Sequence, residues 1–149
     1  MQTSTREFDR DGLPDELRRW AKGSYPLEAA TELLIRTGWC RASSAWIRER
    51  EEGAHWVDFA SIPGHSRGKS SGERQLLLVI ASLGDGTGDT AVCLGDVGRI
   101  DRDNVDLILA AIAHAAGTHE NAPAPWESNA QTPPHTLHPW PESPTGTFC

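Results

Sequence analysis

The residues of this chain able to do chemistry crowd into positions 63–96. Gly64-His65-Ser66-Arg67-Gly68 matches G-x-S-x-G, the nucleophile elbow. That chemistry needs Ser on a sharp strand-to-helix turn, followed along the chain by an acid and then a His. Asp96, then His114 or His119, come in that order. The surroundings do not match, because Pro63 interrupts any strand feeding the turn and Lys69-Ser70-Ser71 does not yet open a helix. The same stretch, Gly64-x-x-x-Gly68-Lys69-Ser70, is one residue short of the phosphate loop G-x-x-x-x-G-K-[ST]. In that loop successive backbone N–H groups and the Lys cradle phosphates, while the Ser holds Mg²⁺. Gly64, Gly68, Lys69 and Ser70 would then bind a nucleotide, with Asp96 at the end of a metal-binding strand. Against this, Pro63 stands where the first Gly belongs, and too few strands are visible for a parallel nucleotide-binding sheet. No catalytic set is complete, and no cofactor is implied.

A further reading uses Ser70-Ser71-Gly72-Glu73-Arg74-Gln75-Leu76, then Ala91-Val92-Cys93-Leu94-Gly95-Asp96, then Ile100-Asp101 before a helix. This order resembles the signature helix, following strand and turn of ABC ATPases. Ser71 replaces the first signature Gly, Val97 follows Asp96 where the catalytic Glu belongs, and no intact phosphate loop lies upstream. The resemblance implies a degenerate nucleotide-binding module. A broader likeness rests on Tyr25-Pro26-Leu27-Glu28-Ala29-Ala30, Trp56-Val57-Asp58-Phe59, Ser71-Gly72-Glu73-Arg74, Asp101-Arg102-Asp103-Asn104-Val105 and Ala111-Ile112-Ala113-His114-Ala115. Over about residues 25–117 the chain resembles a group of small uncharacterised actinobacterial proteins, a likeness that carries no activity with it.

Metal chemistry finds weaker footing. His135, His138 and Cys149 lie in a Pro-rich tail without a rigid supporting shell. Asp85, Asp89, Asp96, Asp101 and Asp103 concentrate carboxylates without the twelve-position pattern of a Ca²⁺ loop, and read as a solvated acidic face with helix caps. Cys40, Cys93 and Cys149 form no ligand spacing and no disulfide framework, which reads as a reduced, cytoplasmic chain. Six tryptophans are many for 149 residues. Trp20, Trp39, Trp46 and Trp56 are expected in the core. Trp126 and Trp140, set among prolines, read as anchors for a protein partner.

The net charge of −7 repels phosphate backbones and disfavours nucleic acid as a ligand. Acidity also admits a DNA-mimic inhibitor of a DNA-binding enzyme as a further alternative. No apolar run approaches the ~20 residues of a membrane span, and no apolar leader is visible. The leading expectation is therefore a non-enzymatic acidic binding or regulatory protein acting through an unknown protein partner.

The elements that must position these residues read as mainly α: one small bundle of four to five helices over residues 13–117. A flexible arm (1–12) precedes it and a Pro-rich, disordered tail (118–149) follows. Helices are expected over 13–22, over 24–38 with Ser24 as cap, and over 43–52 with an Arg48–Glu52 pair. A fourth runs over 71–84 behind the capping box Ser70-x-x-Glu73, and a fifth over 102–116 behind Asp101. Trp56–Phe59 and Ala91–Leu94 are candidate strands for a two-stranded element. Trp56–Phe59 reads equally as an irregular approach to a turn around Ser61 and Ile62. The two apolar helices, 71–83 and 102–116, are expected to pack against each other at the centre.

Overall fold

The computed structural model describes residues 5–120 and 138–142 of the chain, with side chains from residue 12 onward. Five α-helices, one β-hairpin and three 3₁₀ turns make up the regular structure of the described residues. Helix α1 (Thr5–Ala21) carries Pro14 inside it and starts upstream of the expected 13–22 segment. Its Leu13, Leu17 and Ala21 are buried and share one face.

Helix α2 (Tyr25–Arg36) buries Ala29, Ala30, Thr31, Leu33 and Leu34. Ser24 takes the extended N-cap backbone but its side chain makes no cap bond. Glu28 compensates, its carboxylate accepting from the Gly23 N–H at 3.3 Å. At the other end the Thr37 hydroxyl donates to Leu33 O at 2.7 Å, and Gly38 turns the chain at φ 84°. That left-handed backbone suits Gly and ends the helix.

Residues 43–52 do not form a helix. Strand β1 (Ile47–Glu49) pairs antiparallel with β2 (His55–Val57), with Ile47 opposite Val57 and Glu49 opposite His55. Gly53, at φ 81°, makes the turn. Helix propensities differ by only tenths of a kcal/mol per residue, and burying Trp46, Ile47 and Val57 outweighs them. Arg48 reaches across to Asp58 at 3.4 Å rather than along a helix to Glu52. Strand β2 thus takes part of the expected Trp56–Phe59 strand, but its partner is β1. Residues 91–93 have no regular structure, and Leu94 opens a 3₁₀ turn (Leu94–Arg99).

A 3₁₀ turn (Phe59–Ser61) leads into the single-turn helix α3 (Ile62–His65). Helix α4 (Ser71–Gly84) and helix α5 (Arg102–Ala115) lie where the sequence places them. The Asp101 side chain caps α5 by accepting from the Asn104 N–H at 3.0 Å.

The centre of the molecule belongs to α2. It packs against α1, α4 and α5, whereas α4 and α5 barely meet. The short, Ala-rich face of α2 lets three helices approach it closely. Helix α5 gives that contact its Ile108, Ala110, Ala111 and Ala113 side, leaving Leu109 43% and Ile112 48% exposed on the other. The expectation of α4 against α5 at the core fails because apolar count alone does not say which face is inward.

Candidate functional site

The loop before α4 is a structural joint rather than a reactive one. Ser66 is fully buried, and its hydroxyl donates to Pro63 O at 2.8 Å. A nucleophile needs an open approach and a base on its hydroxyl, and Ser66 has its proton committed to backbone. The histidines that the elbow would require, His114 and His119, stack on one another beside Tyr25 instead.

The phosphate-loop residues are equally occupied. Ser70 is the N-cap of α4: its hydroxyl accepts from the Glu73 N–H at 3.4 Å, while Glu73 accepts from the Ser70 N–H at 3.2 Å. This capping box uses the donors that a phosphate would take. It also sets the Glu73 carboxylate at the mouth of the helix. Lys69 Nζ lies 4.8 Å from the centre of the Trp39 ring. Gly64 sits in α3 and Gly68 in the loop that follows. Asp96 belongs to the 3₁₀ turn rather than to a strand end, and faces Arg99 at 3.7 Å. Among the described residues no group of three or more His, Cys, Asp or Glu side chains is arranged to hold a metal ion. His135, Cys149 and Trp126 lie outside the described residues.

Side chains converge elsewhere, in a cleft of about 350 Å³ lined by Arg18, Lys22, Glu28, Glu32, His114 and Trp140. That volume is within the range of small recognition sites. Helix α1 supplies Arg18, and Lys22 follows directly after its last residue. Helix α2 supplies Glu28 and Glu32, one turn apart, and Arg36 stands one turn further along the same edge, beside Trp140. Helix α5 supplies His114.

Glu32 is the fixed point of this arrangement. Its carboxylate accepts from Arg18 Nε at 2.8 Å, from Arg18 Nη2 at 3.3 Å and from Arg36 Nε at 2.8 Å. Burial opposes its ionisation most strongly, but the hydrogen bonds from Arg18 and Arg36 prevail and hold the carboxyl below its ordinary range. Arg18 is in turn pushed upward, first by its hydrogen bond to Glu32. Asp15 accepts a further bond from Arg18 at 2.9 Å.

Arg36 carries this network to the tail. Its guanidinium carbon lies 5.1 Å from the centre of the Trp140 ring, and Nη1 donates to Pro141 O at 2.7 Å. Cation–π attraction and a charge-assisted bond thus come from one planar group. The His114 ring lies 6.3 Å from Trp140 on another side. Trp140 is accordingly half-buried against the core, not free at the surface.

Behind the cleft, His114 and His119 stack at 4.0 Å between ring centres and 4° between planes. Tyr25 meets His119 edge-on at 4.8 Å. A hydrogen bond to the Glu120 carboxylate raises the Tyr25 hydroxyl. His114 Nε2 lies 3.5 Å from Glu28 Oε1, within ion-pair reach but without a hydrogen bond, and His119 Nδ1 is buried with no hydrogen-bond partner.

Sequence reasoning missed Arg18, Glu32 and Arg36. The available signal was the i, i+4, i+8 run Glu28, Glu32 and Arg36 along the edge of an otherwise apolar helix. Comparison with known proteins finds no matching family model, no similar curated protein and no similar solved structure.

Proposed function

We propose that this chain is a non-enzymatic binding protein that acts through a protein partner, with the α1–α2–α5 cleft as its recognition surface. One observation carries the reading: Trp140, which forms one wall of the cleft, is held there by a cation–π contact and a bond to the next carbonyl, both from the adjoining Arg36. The Arg is itself held by a partly buried carboxylate, so little ordering remains to be done when a chain segment docks. An aromatic anchor beside a rigid Arg is the pairing that dominates many protein interfaces. Burial of Ser66 and the capping box at Ser70 weigh against hydrolase and nucleotide readings of the neighbouring loop.

Photo-crosslinking in the native host tests this. A benzophenone side chain is placed at exposed Lys22 on the cleft rim, and separately at exposed Ser82 on α4. A protein crosslinked from position 22 and not from position 82 is the expected result. Equal crosslinking from both positions, or none from position 22, removes the cleft as the interaction surface.

A further inference from the structure

We propose that the partner segment recognised at this cleft is a peptide with a Pro-flanked Trp, and that the chain's own Pro139-Trp140-Pro141, whose Trp forms one wall of the cleft, is a tethered occupant of that wall which such a peptide displaces. The inference rests on the cleft being the recognition surface and adds the chemistry of the ligand. Three features of the seated segment define that chemistry. The indole lies against the Arg36 guanidinium, the following carbonyl accepts from Arg36 Nη1 at 2.7 Å, and proline stands on either side of the tryptophan. Pro removes a backbone donor and holds φ near −65°, so a Pro-Trp-Pro unit arrives already extended and without an N–H to desolvate at Pro141. A Trp without these flanks loses more conformational entropy on docking.

The chain repeats the unit. Pro125-Trp126-Glu127-Ser128 parallels Pro139-Trp140-Pro141-Glu142-Ser143, the second copy having one more proline. The element common to both is Pro-Trp with Glu-Ser after it. Lys22 on the exposed rim matches the acid of such a segment in sign, Arg18 being already paired with Glu32 and Asp15.

Tethering sets the energetics. Residues 116–137 join the seated segment covalently to the end of α5, so the occupant competes at an effective concentration on the order of 1 mM. Against a free peptide with Kd on the order of 100 μM, that competition weakens external binding about tenfold. The docked tail is therefore an internal brake, and a partner opens the cleft only when its segment is abundant or multivalent.

The test uses the full chain and a fluorescein-labelled His-Pro-Trp-Pro-Glu-Ser peptide copying residues 138–143, titrated by anisotropy. A Trp126→Ala/Trp140→Ala chain removes both internal competitors and is expected to bind the peptide about tenfold more tightly than wild type. Adding Arg36→Lys, which keeps a charge for Glu32 but loses the planar stack, is expected to abolish that gain. A peptide with Ala in place of Trp is expected not to bind. Pro141→Gly in the otherwise intact chain loosens the latch without altering the core, and is expected to raise peptide affinity in the same direction should the double variant fail to fold. Equal binding by wild type and the opened chains, indifference to Arg36→Lys, or equal binding of the Ala peptide each overturns the proposal. Crosslinking from position 22 without any peptide binding overturns the ligand chemistry alone. Failure of both overturns the cleft itself.

Discussion

Replacing Glu32 with Gln tests whether one half-buried carboxylate holds the cleft together. The side chain is 16% exposed and receives three charge-assisted hydrogen bonds, two from Arg18 and one from Arg36. Each such bond contributes ~1.5–3 kcal/mol when shielded, but the Arg18 side chain is 44% exposed and its share is screened. Gln keeps a carbonyl acceptor and loses the charge, so the expected loss is about 1–2 kcal/mol. At about 4 °C per kcal/mol for a domain of this size, Glu32→Gln lowers Tm by about 4–8 °C at pH 7. The pH dependence follows from the sign of the shift. A carboxyl whose folded value is depressed contributes fully above its unfolded value, and the contribution fades as pH falls through the folded one. The Tm gap between wild type and variant is therefore widest near neutrality and closes in acid. Circular dichroism melts from pH 7 down to pH 3 read this directly. Equal melting at neutral pH, or a gap that stays constant into acid, refutes the placement of Glu32 at the centre of the network.

Two glycines of the loop region separate packing from phosphate chemistry. A Cβ at Gly72 meets Arg99 O at 2.7 Å, whereas one at Gly64 meets nothing within 4 Å. Gly72→Ala is expected to destabilise by about 1–3 kcal/mol and Gly64→Ala by less than ~0.5, as read by urea melts; the reverse order contradicts the docking of the 3₁₀ turn on α4. Burial pushes the Cys40 thiol up to about 11. With Cys149 changed to Ser, a disulfide reagent at pH 8 is expected to modify exposed Cys93 quickly and Cys40 slowly, and equal rates contradict the burial of Cys40. Ile108→Asp places an unpaired charge at a fully packed site and is expected to unfold the domain, while Leu78→Asp, at a half-buried site, leaves it folded with a lowered Tm; two equally folded variants count against the packing of α5 on α2.

Legibility followed whether a signal was local. Ser70 with Glu73 and Asp101 with Asn104 are contacts within one turn, so the starts of α4 and α5 could be read from residue types. Gly38 and Gly117 end their helices with positive φ for the same reason. A two-stranded element was expected, but its first strand was missed because the hairpin's support is distant: Glu16 on α1 accepts from the His55 N–H at 2.6 Å, and nothing near residue 55 announces that. Arg48 and Glu52 had helical spacing, yet a pair of that kind is worth only ~0.3–0.5 kcal/mol, less than burying Ile47. The Gly/Ser loop drew notice because short motifs match easily, while the cleft drew none because its residues come from three helices and the tail. Trp140 stood out among its prolines, but the Arg36–Pro141 bond that seats it on the chain's own helix spans 105 positions of sequence.

The central place of α2 has a consequence for how the chain comes off the ribosome. Its main helical partner, α5, begins at Arg102, whereas α2 ends at Arg36. At roughly 5–20 residues per second, that partner is made several seconds later. During the wait Ala29, Ala30, Leu33 and Leu34 have α1 beside them, and then α4, but not the helix that finally covers them. Long-range closure of this kind slows folding relative to bundles in which neighbours in sequence pair. The small residues on α2 keep the waiting surface modestly apolar, which limits what it can capture before α5 arrives.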